Sequence, residues 1–142
     1  MTIDREILDE EVTFEELDLL NRSIVSRTDI KGIITFANKG FCTLSGYSKE
    51  ELISQPHSII RHPDMPKIIF QEMWQTIQEN KKWHGFIKNL RKDGRYYWAE
   101  IFLEPFFDEN NNKIGYMAAR KPVGPKDKKE FAKKYKELKE KE

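Results

Sequence analysis

Apolar and polar positions recur along this chain with a period that changes several times, and each change marks an element. Over residues 1–20, Ile3, Ile7, Leu8, Val12, Phe14, Leu17 and Leu20 fall at roughly helical spacing among many acids, which predicts an amphipathic helix in need of a partner for its stripe. Residues 23–28 and 32–36 are short, β-branched runs divided by Asp29-Ile30-Lys31-Gly32, the pattern of a hairpin. Asn38 then caps a short helix carrying Phe41 and Leu44 that Gly46 stops. Ser48-Lys-Glu-Glu51 is a capping box that opens another.

Residues 55–66 hold three prolines and two histidines, too broken for a regular element. Asp64 and Pro66 then start a helix as N-cap and early-turn residue, with Ile69, Met73 and Ile77 on one stripe and an end near Asn80. Residues 83–90 and 96–106 flank Arg91-Lys92-Asp93-Gly94-Arg95, whose Asp-Gly step is a hairpin signal. A last strand over about 113–120 follows the polar loop 108–112, and Pro122, Gly124 and Pro125 mark a linker. Beyond it, Phe131, Tyr135 and Leu138 give a solvated helix one narrow apolar seam. The order implies an α+β domain: a five-stranded antiparallel sheet with short helices on one face and a helix at each end. The expected boundaries are 1–21 for an N-terminal helical cap, 22–121 for the domain itself, and 122–142 for linker and Lys-rich helix.

Composition narrows the choice. At 142 residues, 38% hydrophobic and 12% aromatic, the chain has one core to bury and is not a disordered polymer. Its net charge of +1 hides an N-terminal segment, residues 1–20, with eight acids and one Arg. The basic end, residues 126–142, interleaves eight Lys with five acids, unlike the one-sided face that tracks nucleic-acid phosphates. No apolar run approaches the roughly 18–20 residues of a membrane span, and the acidic start is not a signal peptide. The single cysteine, Cys42, makes no internal disulfide, which suits a reducing cytoplasm.

With this order stand Asn38-Lys-Gly-Phe41, Ser45-Gly-Tyr-Ser-Lys-Glu-Glu-Leu52 and the Lys92-Asp-Gly94 hairpin, and together they resemble a PAS sensor domain over about residues 22–121. Within that family, Gln55 through Arg61-His-Pro-Asp-Met-Pro66, then Met73-Trp74, Lys88-Asn89, Tyr97-Trp98 and Gly115-Tyr116-Met117, are similar to the FAD-binding PAS domain of bacterial aerotaxis receptors. The resemblance implies FAD held by Arg61, His62, Asp64, Trp74, Asn89, Tyr97 and Tyr116. It also implies a cytoplasmic redox or energy sensor, reaching the inner membrane only through a chemotaxis transducer or another HAMP-containing membrane signalling protein. A homodimer is the alternative assembly. The anchor, HAMP segment and kinase-control region of full-length aerotaxis receptors do not follow here, so the chain is either an excised sensor or a stand-alone subunit.

The chemistry of those side chains leaves room for a second role at each. Asn89 offers a donor and an acceptor to the polar edge of an isoalloxazine ring, if it points into the domain, or ties down local backbone. Arg61 suits a pyrophosphate, or a surface salt bridge with Asp64. His62 braces the proline-rich segment or bonds the ligand, and Asp64 is the helix cap unless it accepts a ribose hydroxyl or holds Arg61. Trp74, Tyr97 and Tyr116 are core aromatics unless they face a pocket, while Trp83 and Trp98 read as structural.

Other chemistries find less support. The stretch that carries the adduct cysteine in blue-light LOV domains, here about residues 55–65, has none. His57, His62 and His84 are the candidate haem ligands but form no metal cluster, so no metal site is expected. No nucleophile set, phosphate-binding glycine loop or paired-carboxylate motif marks an enzyme. The alternatives to the flavin sensor are a cofactor-free PAS interaction module and a haem gas sensor.

Overall fold

The computed structural model describes residues 5–142, so Ile3 and the start of the expected N-terminal helix lie outside the described residues. Strands β1 (Val25–Thr28) and β2 (Ile34–Ala37) form the expected hairpin. Asp29 builds its turn, its carboxylate accepting from the N–H groups of Lys31 at 2.8 Å and Ile33 at 3.0 Å. Helix α1 (Lys39–Ser45) begins on Asn38, which accepts from Phe41 N–H at 3.0 Å, and ends at Gly46. Helix α2 (Lys49–Leu52) carries both halves of the Ser48–Glu51 capping box. A 3₁₀ turn (His57–Ile60) is the one regular piece of the proline-rich stretch.

Helix α3 (Lys67–Gln78) follows, with Pro66 at its N-cap in place of the expected Asp64. Strands β3 (Trp83–Leu90), β4 (Tyr96–Phe107) and β5 (Lys113–Lys121) complete one antiparallel sheet in the order β2-β1-β5-β4-β3. Helix α4 (Pro125–Glu140) closes the chain. Pro125, expected in the linker, is instead its first residue, where a missing N–H costs nothing.

Strand alternation divides the sheet into two faces. Pairing sets Asn89 opposite Tyr97 and Ile101 opposite Arg120, and these residues point toward α1, α3 and the 3₁₀ turn. Their strand neighbours Phe86, Lys88 and Trp98 point the other way and carry α4. There Tyr135 stacks on Trp98 at 6.1 Å and donates its hydroxyl to the Phe86 carbonyl at 2.7 Å, while Phe131 lies 4.6 Å from the Phe86 ring. The seam expected from Phe131, Tyr135 and Leu138 is therefore used. No helix among the described residues is long and apolar enough to cross a membrane.

The N-terminal helix is a correction: residues 5–21 contain none. Leu8 N–H donates to the Gly94 carbonyl and Val12 N–H to that of Tyr96, each at 2.8 Å, and Tyr96 N–H donates to Glu10 at 3.0 Å. The segment is an extended strap on the β4 edge that β5, pairing only from Glu100 onward, leaves open. Val12, Phe14 and Leu19 are buried by it. A helix would satisfy its own backbone but leave that edge unpaired, whereas the strap answers both needs.

Gly94 is the point on which the strap depends. It takes φ of 90°, and a Cβ there would lie 2.0 Å from the Glu6 carbonyl oxygen. Gly94→Ala is expected to lower unfolding free energy by roughly 1–2 kcal/mol and to remove amide-exchange protection at Leu8 and Val12. Urea melts and hydrogen exchange check this; protection unchanged at both amides would refute the strap's dependence on that turn.

Candidate functional site

Between the inner face of the sheet and the helices lies a cavity of about 310 Å³. Its floor is built by alternate residues of four strands: Ser26 and Thr28 from β1, Ile87 and Asn89 from β3, Ile101 and Leu103 from β4, and Tyr116, Ala118 and Arg120 from β5. Its roof is the segment from Pro56 to Arg61 together with Phe70, Met73, Trp74 and Ile77 of α3, with Lys31 and Gly32 also on its wall. The wall is thus largely aliphatic and aromatic with a few fixed polar groups, the make-up of a small-molecule site.

Four of the seven expected residues line this one cavity: Arg61, Trp74, Asn89 and Tyr116. Trp74 and Tyr116 meet edge to face at 5.7 Å, and Gly32 packs beneath Trp74, where a Cβ would stand 3.0 Å from the indole. The Arg61 guanidinium lies over the Phe70 ring at 3.8 Å, and Asp64, its suggested ion partner, pairs with Lys88 at 3.0 Å instead. Arg61 and Asn89 are also joined by a backbone bridge that fastens the roof to β3.

The other three lie elsewhere. His62 is buried behind the cavity wall, its Nδ1 accepting from Asp64 N–H at 3.0 Å, and its ring meets Tyr96 edge on. Burial, then Lys88, holds its pKa down to about 4, so it is a neutral brace for the loop. Asp64 is 67% exposed and engaged with Lys88. Tyr97 is fully buried on the same face of the sheet without lining the cavity; burial pushes its phenol up, and its hydroxyl has no hydrogen-bond partner although Asn89 stands opposite on β3.

Two lining residues lie outside the expected flavin set: Arg120, and His57, a candidate haem ligand. Arg120 is 4% exposed, and its Nη2 donates to Ser26 Oγ at 2.9 Å and to His57 Nε2 at 3.0 Å. Its Nη1 reaches the Ala118 carbonyl at 3.4 Å, its Nε has no partner, and its carbon centre lies 4.0 Å from the Phe41 ring. No carboxylate is among these contacts. Burial pulls its pKa down to about 10, still a cation at neutral pH. His57 stacks on Phe41 at 5.8 Å, and burial followed by the Arg120 charge holds it to about 3. Strand parity was the available signal: Arg120 stands at i+4 from Tyr116, hence on the same face. His57 gave none, because its partners are 31 and 63 residues away. Among the described residues, no three His, Cys, Asp or Glu side chains form a metal-holding group.

Two neutral histidines, His62 buried and His57 half-buried, impose a pH dependence on folding. Unfolded, each binds a proton below about 6.5; folded, only below about 3 for His57 and about 4 for His62. Between those limits the unfolded chain binds more protons, so stability is full above about pH 6.5 and falls as pH is lowered, by up to about 1.4 kcal/mol per pH unit per histidine. Urea unfolding at about pH 7 and about pH 5 should show that loss, reduced in His57→Gln and in His62→Gln. A wild-type protein equally stable at both would exclude neutral burial.

Comparison with known proteins gives the same architecture. Residues 34–120 match the family model described as PAS fold. The chain is 43% identical over 98 residues to the aerotaxis receptor of Escherichia coli (strain K12), a match covering 69% of this chain and 19% of that receptor. A crystallised PAS domain from Colwellia psychrerythraea is 34% identical and superposes with a TM-score of 0.65, over 71% of this chain and 86% of that one. A light-oxygen-voltage domain, 21% identical, superposes at 0.71 over 82% and 88% of the two chains, a likeness of fold alone. By its strand order, its inner-face cavity and these matches, the chain belongs to the PAS fold family and carries an aerotaxis-receptor-like PAS domain.

Proposed function

We propose that this domain is a redox or energy sensor that binds FAD in the inner-face cavity and signals by altered contact with a chemotaxis transducer or another HAMP-containing membrane protein. What carries the reading is the convergence of Asn89, Trp74, Tyr116 and Arg61 on one apolar cavity that also contains a buried guanidinium without a carboxylate. A cavity volume of about 310 Å³ is at the low end for ligand pockets, enough for a ring system with the rest of a dinucleotide outside.

The residues present fit a flavin. Aliphatic groups of α3 and the sheet would sandwich its tricycle, Asn89 would pair its carbonyl and imide edge, and Arg120 would favour charge there. Trp74 and the cations Arg61 and Lys31 on the cavity wall would hold the adenine and the pyrophosphate. His62, Asp64 and Tyr97 act behind these groups: His62 and Asp64 shape the Arg61 loop, and Tyr97 supports Asn89. When bound, the flavin supplies reversible electron uptake. A signal follows only from a partner that binds the two states unequally, typically by about 1–3 kcal/mol. The aerotaxis receptor's name supports the taxis role, and the domain then reports rather than catalyses, from the cytoplasm.

The test is an anaerobic absorption spectrum of freshly purified protein before and after dithionite, with the released cofactor identified by chromatography. Flavin bands that bleach and return in air, with FAD released, are expected. A Soret band would replace the reading with a haem sensor, and a colourless protein that neither cofactor reconstitutes with an interaction module. Asn89→Ala and Arg61→Ala should each weaken FAD binding about tenfold, the effect of one lost hydrogen bond to a polar or charged group. Arg120→Met should also weaken it, yet stabilise the flavin-free protein by about 1 kcal/mol or more, because an uncompensated buried charge is removed. Loss of both affinity and stability would make Arg120 a structural residue only.

A further inference from the structure

His57 is a half-buried base that the reading above leaves without a task. Its Nε2 accepts from Arg120 Nη2 at 3.0 Å and faces Ser26 Oγ at 3.3 Å, so the ring's own proton sits on Nδ1 and Nε2 holds a lone pair directed at the cation. The charges acting on it are Arg120 on β5 and Arg61 at the end of the 3₁₀ turn, both positive; Phe41 from α1 and Ser26 from β1 add no charge. This site is therefore neutral because of what surrounds it, and it lines the cavity itself.

We propose that His57 is the proton acceptor of the cavity: negative charge arriving beside Arg120 is balanced by a proton taken up at His57 Nε2. The inference rests on the flavin reading for the source of that charge. An anion beside Arg120 draws its guanidinium N–H groups and cancels its field. Cancelling that field removes the second of the causes that hold His57 to about 3, burial being the first, and raises its proton affinity toward its ordinary range.

The balance is explicit. A two-electron donor such as dithionite delivers two electrons to the bound ring, one proton from solvent goes to its N5, and one negative charge stays at the polar edge, held unprotonated by Arg120. A second proton from solvent goes to His57 Nε2, so two electrons and two protons enter together. Without His57, only the first proton accompanies the electrons.

Two measurements on FAD-loaded protein test this. The ¹⁵N chemical shifts of His57 at about pH 5, between its value of about 3 and its ordinary range, should move from the neutral to the doubly protonated pattern on reduction, a readout that needs no variant. Around that pH the midpoint potential should fall by about 60 mV per pH unit in the wild type and about 30 mV in His57→Gln, each proton per two electrons being worth about 30 mV per tenfold change in proton activity. Equal slopes together with an unshifted His57 would overturn the proton site while leaving the cofactor in place. Protein that retains no flavin is seen from its absorbance beforehand, and there the cofactor reading fails first and this inference with it.

Discussion

A guanidinium buried in the middle of a sheet with no carboxylate beside it is a costly arrangement, and much of this domain is disposed around that cost. Transfer of an unpaired ion from water costs several kcal/mol even after relaxation. Arg120 recovers part of it from the Phe41 face, Ser26 and His57, at 4.0, 2.9 and 3.0 Å respectively. None of these partners carries opposite charge, and Nε has no partner. A side chain of this kind is expensive for stability and useful only if something negative comes to meet it, which is why the cavity wall and the buried charge belong to one argument.

The rest of the fold keeps that region free. Five strands have two faces, and the apolar seam of α4 covers the β3–β4 half of one through Phe131 and Tyr135, leaving Phe102 exposed, while the short helices α1 and α2 are too small to fill the other. The part of the roof that precedes α3 has only the 3₁₀ turn for regular structure. It is held by the Arg61–Asn89 bridge, by His62 accepting from Asp64 N–H, and by Asp64 on Lys88. His62 and Asp64 thus matter to the cavity without lining it, which is how residues of one motif divide between contact and support.

What was legible in the sequence follows from range. Asn38, Ser48 with Glu51, and Asp93-Gly94 act on backbone within a few residues, and each stands where local chemistry puts it. The strap failed for the opposite reason. Leu8, Val12 and Leu17 recur at helical spacing, but what decides their state is an open edge on β4 more than 80 residues away, where Val12 N–H meets the Tyr96 carbonyl. Asp64 as a helix cap fails similarly, since Lys88 outcompetes the backbone N–H groups of α3 for its carboxylate. Asn89 and Tyr116 were readable because a recognisable motif marks them. Arg120 was readable only by parity, and the Ser26–Arg120 contact, 94 residues apart, not at all.

Strand geometry also dictates how a change in the cavity reaches the surface. On β3, Ile87 and Asn89 line the cavity, while Phe86 and Lys88 on the opposite face hold Tyr135 and Asp64. Successive side chains of a strand share one backbone, so a shift that reorients Asn89 displaces the Phe86 carbonyl to which α4 is tied. A second route runs through α3: its first N–H, on Lys67, donates to Glu142 at 2.9 Å, and its later turns carry Trp74 onto the cavity. Both ends of α4 therefore rest on elements that line the cavity, or on the strap through Lys128 and Glu11 at 2.6 Å. A partner that gripped α4 or the bare half of the outer sheet would feel the same backbone that a ligand feels from inside, and the coupling needs no contact longer than one strand is thick.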